Sequence, residues 1–203
     1  MREQVGSGVS AIVLAAGSST RMGTVKPLVE VGGKPMLERT LSTVLQSRVD
    51  EIVVVLGHSA ELIQQSIPFR GATAVINHSY TEGMASSLRT GLSSVRANVE
   101  AVLIVLADQP FLKSETIDRL IEQYRSEWAE ILVPTYNGVR GNPVLLDRSV
   151  FHELAQLNGD VGFRAIFGSH ARGIAKVPVQ DPGVLVDLDT PADVQRFAQG
   201  LQM

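Results

Sequence analysis

Short runs of Val, Ile, Leu and Ala punctuate the chain at residues 11–14, 52–56, 74–76, 101–106, 131–133, 144–146 and 184–188. They are continuous rather than alternating, and turn residues bound them. Such runs suit strands covered on both faces, as in a parallel sheet. Between them lie "MLERTLSTVLQS", "AELIQQSI", "MASSLRTGLSSV" and "ETIDRLIEQYRSEW", whose apolar residues recur at helical spacing. Alternation of the two patterns predicts an α/β fold, a mostly parallel central sheet in a three-layer, Rossmann-like arrangement. After Glu130 the pattern loosens into "PTYNGVRGNPVLLD" and "NGDVGFRAIFG", which predicts an inserted β-element and loops. In open α/β sheets ligands bind beyond the carboxyl ends of the strands. Loops at Gly17, Gly57, Asn77, Asp108 and Asp187 all fall on that side.

Composition narrows the class. The 203 residues, 44% hydrophobic and 19% charged, suit a single domain over 9–203 preceded by a flexible tail at 1–8. A net charge of -3 with no Lys/Arg cluster argues against nucleic acid as a partner. No apolar stretch reaches the roughly 18 residues of a membrane span, and no basic segment followed by an apolar run opens the chain. There is no cysteine, so disulfides and thiolate metal sites are excluded. A cytoplasmic location is expected.

The chemistry concentrates in "VLAAGSSTRMGTVKP", residues 13–27. Backbone N–H groups around Gly17, Ser18, Ser19 and Gly23, with Arg21 and Lys26, make a cradle suited to phosphate. It is neither a Walker loop, since Lys26 does not follow a glycine, nor a dinucleotide fingerprint, since Ser19 stands where the second glycine belongs. Asp108, after an apolar run, and Asp187 or Asp189 in "VLVDLDTPAD" are candidate ligands for a hard cation. Read as a strand, 184–188 and its continuation put those two aspartates on one face. Asp189 could instead cap the helix that starts near Pro191, and Asp193 belongs to its first turn. Gly83, Ser86 and Ser87 sit at a helix start able to meet a nucleotide. The four histidines lack ligand spacing, no G-x-S-x-G elbow is present, and Trp128 reads as a packing anchor.

"LAAGSSTRMGTVKPLVEVGGKPML", together with "GMASSLRTGL", "LADQP", "RGNPVLL", "GDVGFR" and "DLDTPAD" in that order, resembles the MobA-like NTP transferases. Among them the chain is similar to the molybdenum cofactor cytidylyltransferases. The resemblance implies a nucleotidyltransferase that moves CMP from CTP to the terminal phosphate of molybdenum-molybdopterin. Related alternatives are a GTP-dependent or sugar/polyol-phosphate enzyme, and a more distant one is a non-catalytic nucleotide carrier. It further implies Mg²⁺, or Mn²⁺, on Asp108 and on Asp187 first, with Asp189 as the other choice, and docking to a molybdoenzyme or its chaperone. Arg21 and Lys26 then grip the triphosphate, while Leu14, Ala15, Ala16, Asn77 and Met84 join the nucleotide pocket. Ala16 favours cytosine, because the CTP users tend to carry L-A-A-G. Gln109, Arg140, Gly141, Asn142, Pro143, Asp160, Gly162 and Arg164 are implied on the acceptor side, where Asn142 replaces the family's frequent histidine.

Overall fold

A computed structural model describes residues 8–18 and 22–200, the last three by backbone only. The expected tail, apart from Gly8, lies outside the described residues, as do Ser19 and Arg21. In chain order the strands are β1 (Val9–Ala15), β2 (Glu30–Val31), β3 (Lys34–Pro35), β4 (Glu51–Leu56), β5 (Thr73–Ile76), β6 (Ala101–Leu106), β7 (Ile131–Tyr136), β8 (Val139–Arg140), β9 (Val144–Asp147) and β10 (Ile174–Pro178). The α-helices are α1 (Met36–Leu45), α2 (Ala60–Ser66), α3 (Met84–Ser94), α4 (Ser114–Ser126), α5 (Phe151–Gln156) and α6 (Pro191–Gly200).

Eight strands form one sheet, ordered β10-β7-β9-β6-β1-β4-β5 with β8 on β7, and β2–β3 is a separate ribbon. β1 pairs in parallel with both β4 and β6, as do β4 with β5 and β7 with β10. β9 runs antiparallel between β6 and β7 and is the inserted β-element expected after Glu130. The sheet is thus mixed and mostly parallel, covered by helices on both faces.

Two cores account for the three layers. Ala11, Val13 and Ala15 of β1 pack with Leu37 and Leu41 of α1, Ile63 of α2 and Leu120 of α4. Ile12 points the other way, toward Leu88 of α3 and Leu154 of α5. In α1 the buried positions Met36, Leu37, Thr40, Leu41 and Val44 repeat at helical spacing, and α4 does the same with Thr116, Ile117, Leu120, Ile121 and Tyr124. Among the described residues no helix is long and apolar enough to cross a membrane.

The strand expected at 184–188 does not form. Asp181 accepts the Gly183 N–H at 2.9 Å and Pro182 supplies a fixed φ, so the chain turns through a 3-10 helix at Pro182–Leu185. Beyond it residues 186–189 belong to no strand among the described residues, so no pleat aligns Asp187 with Asp189. The strand taken in its place is β10, whose Lys176 and Pro178 dilute its apolar pattern.

The topology sets the site. From β1 the chain proceeds outward to β4 and β5, then returns through α3 to β6 on the opposite flank of β1. The carboxyl ends of β1 and β6 therefore diverge at a switch point, where such sheets leave a crevice.

Candidate active site

A cavity of about 830 Å³ opens at that crevice. Its walls include Leu14, Ala15, Ala16, Gly17 and Ser18 after β1, and Leu106, Ala107 and Asp108 after β6. Gly83, Met84 and Ser87 contribute from the start of α3, Asp160 from the loop before the 3-10 helix Phe163–Phe167, and Lys26 and Asp189 from opposite ends of the chain.

Lys26 is the electrostatic centre. Its Nζ donates to Asp108 Oδ2 at 2.7 Å and to Asp189 Oδ1 at 2.6 Å, while its side chain is only 16% exposed. Burial alone pulls the lysine's pKa down, but Asp108 and Asp189 outweigh it and the net direction is upward, so the ammonium is held charged. Pro27, at the first turn of the 3-10 helix Lys26–Leu28, fixes the backbone beside it. The Asp108 backbone is locked too, since its carbonyl accepts the Leu188 N–H at 3.0 Å and the Thr40 hydroxyl reaches Ala107 O at 3.1 Å.

Among the described residues, Asp108 Oδ1 is buried without a hydrogen-bond partner. A carboxylate oxygen enclosed in that way is costly unless something meets it. With Asp189 beside it, the donor set fits a divalent cation that takes one or two carboxylates and completes its shell with phosphate oxygens and water. No group of three His, Asp or Glu among the described residues forms a self-sufficient metal cage. Asp187, the second ligand the resemblance favours, lies off the cavity wall where Asp189 stands, and its carboxylate accepts from Gln109 Nε2 at 2.7 Å. The residue as a whole is exposed, yet partial enclosure of its carboxyl raises its pKa, with the like charges of Asp108 and Asp189 adding to the effect.

The start of α3 has its own lock. Gly83 has φ 100°, and a Cβ there would sit 2.4 Å from Gly159 C, so the 159–160 loop crosses directly over it. That loop fills the helix start: Gly159 O takes the Ala85 N–H at 3.2 Å and Asp160 Oδ1 the Met84 N–H at 3.3 Å. Asn77 and Ser86 stand behind the wall rather than on it. Asn77 Nδ2 donates to Ser86 Oγ at 2.8 Å and Ser87 Oγ at 3.0 Å, fixing the serine that does face the cavity.

Gly23, Gln109, Arg140, Gly141, Asn142, Pro143, Gly162 and Arg164 also lie off the wall. Arg164 Nη2 donates to Asn142 Oδ1 at 2.9 Å, and buried Gly141 packs against Val184. Arg140 and Arg164 are exposed. Of the residues implied on the acceptor side, only Asp160 lines this cavity. Met22, Met36, Tyr80, Thr81 and Glu82 line it unannounced. The last three fill the gap between Asn77 and Gly83, which a closer reading of that interval would have reached. Asp189 does not cap α6: Thr190 does, exchanging bonds with Asp193 as a capping box.

A switch-point cavity walled by a glycine-serine loop and a charged lysine paired with two of the wall's carboxylates suits a nucleotide-binding α/β chain of the nucleotidyltransferase class. The chain belongs to the MobA-like NTP transferase family, whose domain matches residues 11–174. A solved relative, an Rv0371c homologue from Mycobacterium sp. strain JC1, superposes with TM-score 0.85 at 30% identity, covering 96% of each chain. Rv0371c of Mycobacterium tuberculosis H37Rv, solved in complex with manganese, gives TM-score 0.82 at 28% identity over 95% of this chain and 99% of that one. Nicotine blue oxidoreductase of Paenarthrobacter nicotinovorans is 27% identical over 198 residues, 93% of this chain and 96% of the relative.

Proposed function

We propose that the protein transfers CMP from CTP to the terminal phosphate of molybdenum-molybdopterin, releasing pyrophosphate. The observation that carries this reading is Lys26, charged and held between Asp108 and Asp189 on the wall of the switch-point cavity. Lys26 and Arg21 hold the triphosphate, and the N–H groups after β1 orient it. Asp108 and Asp189, with Asp187 behind them, would hold Mg²⁺ or Mn²⁺, which when bound supplies positive charge to the phosphate oxygens. The acceptor phosphate is already ionised near neutral pH, so the chain's contribution is alignment and charge rather than proton abstraction. Ala16 on the cavity wall supports cytosine through the family resemblance. The manganese complex of Rv0371c supports a divalent ion.

A second reading has a specific basis in the relative named as an oxidoreductase, which aligns with nearly the whole chain. The absent dinucleotide fingerprint and the half-buried lysine–carboxylate cluster weigh against it. One experiment separates the two. Pyrophosphate release is followed with Mn²⁺ or Mg²⁺ and molybdenum-loaded molybdopterin, comparing CTP, GTP, ATP and UTP. Release that needs the pterin and favours CTP is expected. Release with GTP instead corrects the base. No release with any triphosphate, together with oxidation of a reduced nicotinamide nucleotide, overturns the transferase reading.

A further inference from the structure

The 181–189 segment carries Asp187 and Asp189 without the ladder that usually fixes side-chain direction. Its backbone is braced by other means. Buried Asp181 accepts from Lys113 N at 2.9 Å and Thr116 Oγ1 at 2.8 Å, Asn142 N donates to Val184 O at 2.9 Å, and Leu188 N donates to Asp108 O. These contacts place the chain but not the carboxylate of Asp187, an exposed side chain with rotamers to choose among. Among the described residues the only hydrogen bond to that carboxylate comes from Gln109 Nε2, at 2.7 Å.

Gln109 is poorly suited to the acceptor contact that the resemblance implies. It is 0% exposed and off the cavity wall. Its Oε1 is buried without a partner among the described residues, so half of the amide is unfavourable where it lies. An apolar side chain of equal length would fill the space without that penalty. What the amide alone supplies is a donor to Asp187, with a weaker reach to Val184 O at 3.4 Å.

We propose that Gln109 is a positioning residue: its amide nitrogen sets the carboxylate of Asp187 beside Asp108 and Asp189, and thereby the affinity of the site for a divalent ion with nucleotide. The inference rests on the nucleotidyl-transfer reading. It assigns the residue after Asp108 to the metal–triphosphate side of the reaction, acting through Asp187.

The test is Mn²⁺ uptake in the presence of CTP, read from the electron paramagnetic resonance signal of free Mn²⁺. It is run on the wild-type chain, Gln109→Met, Asp187→Asn and the double variant. Gln109→Met keeps length and removes the donor, and it is expected to weaken Mn²⁺ binding about tenfold. The double variant should bind as Asp187→Asn alone does, because a residue acting through another adds nothing once that other is gone. Unchanged affinity in Gln109→Met, or losses that simply add, overturns the proposal. Should Gln109→Met fail to fold, Gln109→Leu serves, a second apolar side chain without the donor. A loss of at least tenfold is then expected, and wild-type affinity overturns the proposal. A wild-type chain that takes up no Mn²⁺ with CTP brings down the nucleotidyl-transfer reading first, before any variant is compared.

Discussion

The two edges of the sheet both gather carboxylates around a partner, and they finish the job differently. At the amino edge, Asp147 accepts from Tyr124 Oη at 2.6 Å, Trp128 Nε1 at 3.0 Å and Ser149 N at 2.9 Å. Close by, His170 is gripped on both ring nitrogens, by Glu130 at 2.8 Å and Glu153 at 2.7 Å. At the carboxyl edge Lys26 is gripped the same way, yet Asp108 keeps a buried oxygen without a partner among the described residues and the cluster faces a cavity. A closed set of hydrogen bonds holds a fold together, whereas an open set beside a cavity is matched to a ligand. Substitutions at the two edges should therefore separate into losses of turnover and losses of stability.

The largest expected effect is at the open edge. Asp108→Asn keeps the shape and removes the charge, and kcat/KM for pyrophosphate release should fall about a hundredfold, roughly 2.7 kcal/mol of transition-state stabilisation. The melting temperature should move little, because the amide oxygen still accepts from Lys26 and Asp189 keeps the ammonium paired. Turnover within about tenfold of wild type would mean that the unpartnered oxygen is not the ligand it is taken for.

The reverse pattern is expected at the closed edge. Asp147→Ala removes one acceptor shared by three donors and should cost about 2 kcal/mol, a fall of about 5 °C in Tm for a chain this size. Pyrophosphate release by the folded fraction should be unchanged. A loss of kcat without a loss of Tm would break the division between the edges. The same network makes Asp147 sensitive to acid: burial pushes its pKa up, but hydrogen bonds from Ser149, Tyr124 and Trp128 prevail and hold it below 3.8. Its contribution is present above that ordinary value and fades as pH drops through the lowered one.

How much of this difference can be read along the chain depends on the range of the interactions. Stripes such as those of α1 and α4 are local, and they announce helices directly. Lys26, Asp108 and Asp189 could be named from their loops, but their union joins residues 82 and 163 positions apart, which only the sheet topology brings about. Asp147 passes for an ordinary strand end in "VLLDRS", since its partners Tyr124 and Trp128 belong to another part of the chain. The apolar run at 184–188 misleads because Asp181 and Pro182 win locally over β-propensity. Trp128, which as a lone tryptophan suggests a packing anchor, is 58% exposed and acts through its ring N–H.

That reading of Trp128 yields a smaller test of the closed edge. Trp128→Phe keeps an aromatic face and deletes the donor to Asp147. It should cost about 0.5–1 kcal/mol, a Tm change of about 2 °C, with no change in turnover. A chain destabilised as much as Asp147→Ala would show that the ring's packing, not its N–H, is what matters.

The smallest effect is the pH dependence of the His170 grip, and its sign is set by both partners. The hydrogen bond to Glu130 raises the pKa of His170, burial opposes it, and Glu153 adds to the rise. The bond to His170 in turn lowers the pKa of Glu153, with Ser169 and His152 contributing. A raised histidine contributes fully below its ordinary 6.5 and loses that contribution as pH climbs through the higher folded value. A lowered glutamate contributes above its ordinary 4.5 and loses it as pH falls through the lower folded value. Both are in force between 4.5 and 6.5. The Tm gap between wild type and His170→Gln should therefore be widest there, at about 1–2 °C for a half-buried cluster at the surface, and close on either side. A gap of constant size from pH 4 to pH 9 would mean that neutral hydrogen bonds, rather than the charge on the ring, hold this edge.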